Sequence, residues 1–320
     1  MVSSTLGPGR QGAVKRVGLC HRKLLLVSRD KTSGGVKLGR FTSPLFFGSI
    51  LGMNLIPLDD PADARLDAYR NLRHEDILRR GPRFIAEGSL VVRRLLQSRY
   101  AADSVLAEPR RLAQLEPLVR DSTPVYVVSP AVIREVAGFN FHRGLLACGR
   151  RIAFSSIESL KPAGRGDQLA LAAISINDAE NLGSLIRTAA AMGICDILLN
   201  RQTADPLCRR VLRVSMGAAL RMRYFDLSDP LSWLECNRQH RAWQTIAMTL
   251  APDSVPLEQA AGTAGARVIV MGNEAEGLPL AIQQACQLRA TIPMAAGIDS
   301  LNVAVAGAIA LYEFTRHRGD

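Results

Sequence analysis

The 320-residue sequence is poor in cysteine, and the six it has, Cys20, Cys148, Cys195, Cys208, Cys236 and Cys286, form no Cys-x-x-Cys pair and have no histidine cluster beside them. That scatter argues against a zinc site and a disulfide framework, so no metal is expected, and it fits a reducing compartment. Most of the six read as small buried hydrophobes. Long apolar runs are missing too: each is broken by Gly, Ser or charge within about a dozen positions, short of the roughly eighteen that a membrane helix needs. A soluble, cytoplasmic protein with no membrane contact is expected. Lysine is nearly absent beyond residue 52, where Lys161 stands alone among arginines. What the chain has in quantity is apolar residues, 48% of the total, enough at this length for a sizeable core and about two domains.

The net charge of +11 is unevenly spread. Residues 1–52 hold nine Lys/Arg and one acid, 53–150 fifteen and twelve, and 151–320 sixteen and sixteen. The first segment is rich in Gly, Ser and basic residues and has no sustained helical or strand period. Three readings compete for it: a basic tail that contacts RNA, an organelle transit peptide, which leaves organelle import open, or upstream sequence translated from a start site placed too early. The third is favoured, because Met53 opens MNLIPLDDPADARLDAYRNLR, an ordinary domain entry. A disordered basic extension over 1–52 is therefore expected.

Over 53–150 the sequence suggests a small α/β domain. In AYRNLRHEDILRRGPRFIAEGSLVVRRLLQS the apolar residues fall at Ile85, Leu90, Val91, Leu95 and Leu96, and the second half reads as an amphipathic helix with Arg93, Arg94 and Arg99 on its wet side. SVLAEPRRL, PVYVVSP and GLLACGR read as short strands alternating with helices such as PAVIREVAG. An arginine-rich face is often merely solvated. The series Arg79, Arg80, Arg83, Arg93, Arg94 nevertheless points to RNA, since guanidinium forks suit phosphate oxygens.

Residues 151–166, closed by Pro162 and two glycines, read as a linker. The second domain opens with the strand QLALAAISI. Asn177 or Asp178 ends it, Asn181 and Gly183 start a helix, Gly193 stops that helix, and the strand CDILLN follows. Ligands of such sheets gather at the carboxyl ends of strands, and Asn181 and Arg187 can approach one side of the helix near that end. Taken singly, they also fit a capping Asn and a surface Arg. Farther on, the strand Val268 to Met271 runs into Gly272-Asn273-Glu274 and Gly277, where glycines let backbone groups approach a flat ligand. The spacing matches neither the dinucleotide nor the phosphate-loop pattern, which favours a cofactor without a pyrophosphate. A strand at Ala290 to Met294, the loop AAGID and a helix capped by Ser300 or Asp299 end the domain, placing Ser300 and Asn302 at a site.

The segments NLGSLIRTAAAMG, VIVMGNEAEGLP and IPMAAGIDSLNVAVAGAIALYE, in that order and spacing and with RVSMGAA between the first two, resemble the three motifs of the SpoU family of RNA ribose 2′-O-methyltransferases, in the SPOUT superfamily. The likeness covers 167–317. PRFIAEGSLVVRRLL and FNFHRGLLACGRR resemble more loosely the substrate-binding domain of many members, although the turn Phe139 to Arg143 departs from the usual pattern. The resemblance implies an α/β knot, that is, a mostly parallel sheet with a deep C-terminal trefoil knot, over 167–320. It implies S-adenosylmethionine held by the loops 272–277 and 292–302, with Gly272, Ile292 and Leu301 touching it and Met271, Gly277 and Met294 beside them. Asn181, Arg187, Glu274, Ser300 and Asn302 match the polar residues near the reacting hydroxyl. A homodimer is implied too, with the apolar helix Val303 to Phe314 as part of its surface or as internal core. The expected function is methyl transfer to a ribose 2′-hydroxyl, of rRNA rather than tRNA. The rival is a knotted RNA-binding or assembly protein without catalysis, which would break the polar set.

Overall fold

The computed structural model describes residues 53–316, apart from 71, 73–80, 121, 139–142, 163–166, 241, 263, 274, 296, 298 and 299, together with the backbone of four short strands between 18 and 37. The candidate RNA contacts Arg79 and Arg80, the candidate Glu274, the turn at 139–142 and, apart from those four strands, the extension over 1–52 lie outside the described residues.

A first, five-stranded sheet is built from β1 (Asn54–Pro57), β2 (Arg83–Glu87), β3 (Ala102–Ala107), β4 (Pro124–Val127) and β5 (Leu145–Arg150), in the order β1-β4-β3-β5-β2. Its strands are apolar almost throughout because both faces are covered. Val105, Leu145 and Ala147 face α1 (Ser89–Leu96), whereas Leu106, Leu146 and Cys148 face α2 (Pro130–Ala137), the period of two expected of a strand. The α2 boundaries are set locally: the Ser129 hydroxyl accepts from Val132 N at 3.3 Å, Pro130 opens the helix, and Gly138 closes it at φ +76°. Ile85, expected to belong to the helical pattern, lies in β2.

The arginine flank of α1 is its wet side, with Arg93 and Arg99 exposed and Arg94 half-buried, yet two of the three are also engaged with the other half of the chain. The Arg94 guanidinium donates to the Met216 carbonyl, and Arg99 donates to the Met222 carbonyl at 2.7 Å while lying over the Tyr100 ring. Two further clamps join the same halves of the chain. Arg151 donates to both oxygens of buried Asp205, at 2.9 and 2.6 Å, and Arg209 spans Glu87 at 2.8 Å and the Leu72 carbonyl at 2.7 Å. These bidentate and forked contacts use the planar geometry that arginine has and lysine lacks, which gives the arginine habit of this region a structural reason.

The second sheet has eight strands, all paired in parallel: β6 (Ser155–Ser156), β7 (Gln168–Ala173), β8 (Asp196–Leu199), β9 (Arg223–Asp226), β10 (Gln244–Met248), β11 (Val255–Pro256), β12 (Ala266–Met271) and β13 (Leu288–Thr291). Their order is β6-β9-β8-β7-β12-β10-β13-β11. The chain builds outward from β7 through β8 and β9, returns to the other side, and inserts β12 between β7 and β10. A parallel sheet gathers its ligands where the strand order reverses in this way, outside the carboxyl ends. Helices α3 (Ala179–Ala191), α4 (Arg209–Val214), α5 (Pro230–His240), α6 (Leu257–Ala261), α7 (Leu280–Ala285) and α8 (Val303–Arg316) accompany it. The expected strand at Ala290 to Met294 lies earlier, at Leu288–Thr291, because Pro293 has no amide to give the ladder.

Helix α8 lies against α3 at a point where a Cβ on Gly307 would sit 2.3 Å from Leu185 Cδ1, so the leucine packs on bare backbone. One face of α8 is core, with Ala310, Leu311 and Phe314 buried. Val305, Ile309 and Tyr312 on another face are 49%, 40% and 57% exposed.

Candidate active site

The segments leaving β10, β12 and β13 enclose a cavity of about 420 Å³ at the carboxyl edge of the sheet, a size that suits a small cofactor. All six residues named for a cofactor, Met271, Gly272, Gly277, Ile292, Met294 and Leu301, line it, and so does Ser300. Much of the remaining wall is apolar: Met248, Leu250, Leu278, Val303 and Ala306.

The loop after β12 is shaped by close backbone approach. A Cβ on Gly272 would fall 2.5 Å from the Gly277 carbonyl carbon and 2.6 Å from Leu278 N, so any side chain there displaces the loop. Gly277 has φ +68°, a left-handed conformation that glycine adopts without strain, and its N–H donates to the Asn273 carbonyl at 2.9 Å. The Asn273 carboxamide bonds both ways. Its Oδ1 accepts from Ala275 N at 2.8 Å and Glu276 N at 3.3 Å, and its Nδ2 donates to the Ser175 carbonyl at 2.9 Å. On the facing wall Thr249 Oγ1 donates to Gln283 Oε1 at 2.8 Å, and Gln283 Nε2 donates to the Leu278 carbonyl at 2.7 Å.

Beside the cavity two helix starts meet. Asp178 caps α3, its Oδ1 accepting from Glu180 N and Asn181 N at 2.8 Å each. Asn302, rather than the expected Ser300 or Asp299, caps α8: its Oδ1 accepts from Ala304 N at 2.9 Å and Val305 N at 3.3 Å. The other end of its amide reaches across, Asn302 Nδ2 donating to Asn181 Oδ1 at 2.9 Å. The first and third sequence motifs, 121 positions apart at these two residues, are thus joined by one side-chain bond. Arg187 lies two turns farther along α3, exposed to solvent and outside the cavity wall.

Of the described candidate RNA contacts, Arg83 donates to Asp103 at 2.9 Å, and Asp103 also accepts from Arg150 at 2.7 Å, so two exposed guanidinium groups share one carboxylate. Arg93 is exposed, and Arg94 is engaged with Met216. A thiol nucleophile finds no support: burial pushes Cys148 up to about 11 and Cys286 up to about 12, and no cysteine lines the cavity. Among the described residues no group of three or more His, Cys, Asp or Glu could hold a metal ion, and no helix is long and apolar enough to cross a membrane.

Sequence reasoning missed Met248, Thr249, Leu250, Leu278 and Gln283 in the wall. A signal for the first three was present: QTIAM is a strand, and whatever follows a parallel strand next to β12 faces the same edge.

Residues 168–312 match the SpoU rRNA Methylase family. An uncharacterized tRNA/rRNA methyltransferase of Mycobacterium bovis is 37% identical over 272 residues, covering 83% of this chain and 93% of that protein. The 23S rRNA (guanosine-2′-O-)-methyltransferase RlmB of Acinetobacter baylyi is 32% identical over 188 residues, 58% of this chain and 75% of the relative. Among solved structures, an AdoMet-bound rRNA methyltransferase from Sinorhizobium meliloti superposes with a TM-score of 0.69 at 26% identity, covering 82% of this chain and 98% of that one. With a parallel sheet and a carboxyl-edge cavity in place, and with the Mycobacterium bovis relative 37% identical over most of both chains, the protein belongs to the SpoU family of RNA methyltransferases.

Proposed function

We propose that the protein transfers a methyl group from S-adenosylmethionine to a ribose 2′-hydroxyl of RNA, ribosomal rather than transfer RNA. The observation that carries this reading is the Asn302–Asn181 bond, which brings two motifs together beside the cavity walled by the third. The named activities of the RlmB relative and of the AdoMet-bound neighbour support the same chemistry.

The cavity residues fit this cofactor. Methionine, leucine and isoleucine side chains suit the flat adenine, the bare backbone at Gly272 allows close approach, and Glu276 offers a carboxylate to a cationic ligand. When bound, the cofactor supplies an already activated methyl group. The protein's residues then have to bind, orient and exclude water, and positioning of this kind carries a large share of a transfer reaction. Met271, Gly272, Gly277, Ile292, Met294 and Leu301 hold the cofactor in this reading. Ser300, Asn181 and Asn302 orient the ribose, joined by Glu274. Arg187, whose guanidinium donates hydrogen bonds and accepts none, clamps the neighbouring phosphate and stabilises developing alkoxide charge rather than taking the proton. Its exposure on α3 supports contact with a large substrate arriving from outside.

We assign RNA substrate binding to 53–150, connection to 151–166, within which β6 joins the edge of the second sheet, and methyl transfer to 167–320. The late insertion of β12 between β7 and β10 supports a trefoil knot in the last segment, and the apolar outer face of α8 supports a homodimer. Gel filtration is expected at twice the monomer mass, and a monomer at working concentration would contradict the dimer. The substrate is tested with labelled S-adenosylmethionine on ribosomal and transfer RNA fractions. Alkali-resistant label at one ribosomal nucleotide is expected. Alkali-labile label, or label confined to the tRNA fraction, would refute the ribose or the ribosomal assignment respectively, and no transfer despite cofactor binding would favour a non-catalytic RNA binder.

A further inference from the structure

The carboxyl edge of the second sheet contains a polar cluster that neither lines the cavity nor belongs to the three motifs. Asn200 is the first residue after β8 and is 4% exposed. Its Oδ1 accepts from Ser175 N at 2.9 Å and from the Thr203 hydroxyl at 2.7 Å. Its Nδ2 donates to Ser175 Oγ at 3.1 Å and to Gln202 Oε1 at 2.8 Å. Thr203, fully buried, also reaches the Ala173 carbonyl at 2.9 Å.

What this cluster grips is unusual backbone. Ser175, just beyond β7, has φ +57°, one of two non-glycine residues with positive φ among those described. A side chain in that region is strained by roughly 1 kcal/mol or more, and it persists only where surrounding bonds hold it. Asn200 supplies them, binding Ser175 at its amide and at its hydroxyl. So held, the Ser175 carbonyl points to Asn273 Nδ2, and the other end of the Asn273 amide fixes Ala275 and Glu276. Asn273, Ala275 and Glu276 line the cavity. The chain of contacts therefore runs from β8 through a strained residue after β7 to the loop after β12.

We propose that Asn200 is a positioning residue for the cofactor: by holding Ser175 in its left-handed conformation it sets the carbonyl that anchors the loop Gly272–Gly277. The proposal rests on the reading of the cavity as the S-adenosylmethionine site. It does not place Asn200 against cofactor or substrate; it gives this residue control of the shape of the binding loop.

Calorimetric titration of S-adenosylmethionine into the full chain tests it, with methyl transfer measured alongside. Asn200→Ala is expected to weaken cofactor affinity by about tenfold or more, while kcat at saturating cofactor stays within about threefold of wild type. Adding Ser175→Gly to Asn200→Ala is expected to recover most of the lost affinity, because glycine adopts the same φ without a clamp. A residue needed only for folding would lower Tm without this split, and glycine would not restore binding. Should Asn200→Ala fail to fold, Ser175→Val and Ser175→Gly decide: valine, strained at this φ, is expected to weaken binding at least tenfold and glycine to leave it within about threefold. Unchanged affinity in folded Asn200→Ala, or equal affinity in the valine and glycine variants, would overturn the proposal while the cofactor site stands. Absence of binding by the wild-type protein would overturn the site reading and the proposal together.

Discussion

The two edges of the eight-stranded sheet are chemically unlike. At its amino edge three Arg–Asp pairs, Arg223 with Asp196 at 2.6 Å, Arg267 with Asp167 at 3.6 Å, and Arg289 with Asp253, stand beside one neutral bond, Thr245 with Gln287 at 3.0 Å. Around the cavity at its carboxyl edge, the bonded side chains are neutral amides and hydroxyls: Asn181 with Asn302, Thr249 with Gln283, Asn273 with Ser175, and Asn200 with Thr203. Exposed pairs such as Arg223–Asp196 hold strand ends together and lose little by facing water, whereas the Arg267 guanidinium is buried. Neutral groups can brace a loop through bonds directional enough to set its shape. Stability is thus expected to depend on one edge and chemistry on the other.

Substitutions can break that contrast. The largest effect is expected for Asn302→Ala, which removes both the α8 cap and the bond to Asn181. Methyl transfer should fall by about two orders of magnitude or more, while unfolding free energy drops by only about 1 kcal/mol. Comparable losses of activity and cofactor affinity, scaling with stability, would erase the distinction. Arg267→Ala at the other edge should act in reverse. This side chain is 1% exposed, donates to the Ala261 carbonyl at 3.1 Å and lies over the Phe314 ring. Its loss should cost about 3 kcal/mol in denaturant unfolding with cofactor affinity unchanged. Arg187→Lys should keep the charge but lose the fork, lowering kcat about tenfold or more with cofactor binding intact; full activity would remove the clamp assigned to Arg187. Arg223→Ala breaks a pair whose arginine is 61% exposed, and should cost less than about 1 kcal/mol. Smallest of all, iodoacetamide near neutral pH should label exposed Cys195 and Cys236 and spare Cys148 and Cys286. Burial raises the latter two thiols, so less thiolate is present at any pH below about 11 and 12 respectively.

What the sequence disclosed, and what it hid, divides along the same physical line. Features written in neighbouring residues were legible: the glycines around the cofactor loop, the apolar strands at 168–173 and 266–271, and the helix that follows the first of them, although its cap is Asp178 and not the Asn181 that also fitted one. Those that depend on distant partners were not. Nothing beside Arg94 and Arg99 announces that their partners are the carbonyls of Met216 and Met222 in the other half of the chain, so their helix face read as solvated. Likewise Ser300 and Asn302 are both good capping residues, and the choice between them fell to Asn302, whose amide also reaches Asn181 across the fold. Asn200 left no local trace, because its role lies in a backbone angle 25 positions away. The shortened last strand, by contrast, was legible in Pro293.

The central claim is that the carboxyl-edge cavity is the cofactor site, and its most direct test is calorimetric titration of S-adenosylmethionine into the full chain and into Gly272→Val. The account predicts saturable binding to the wild-type protein and loss of binding in the variant, whose side chain would occupy the space taken by the Gly277 and Leu278 backbone. Equal binding by both proteins, with the variant folded, would show that the cofactor lies elsewhere.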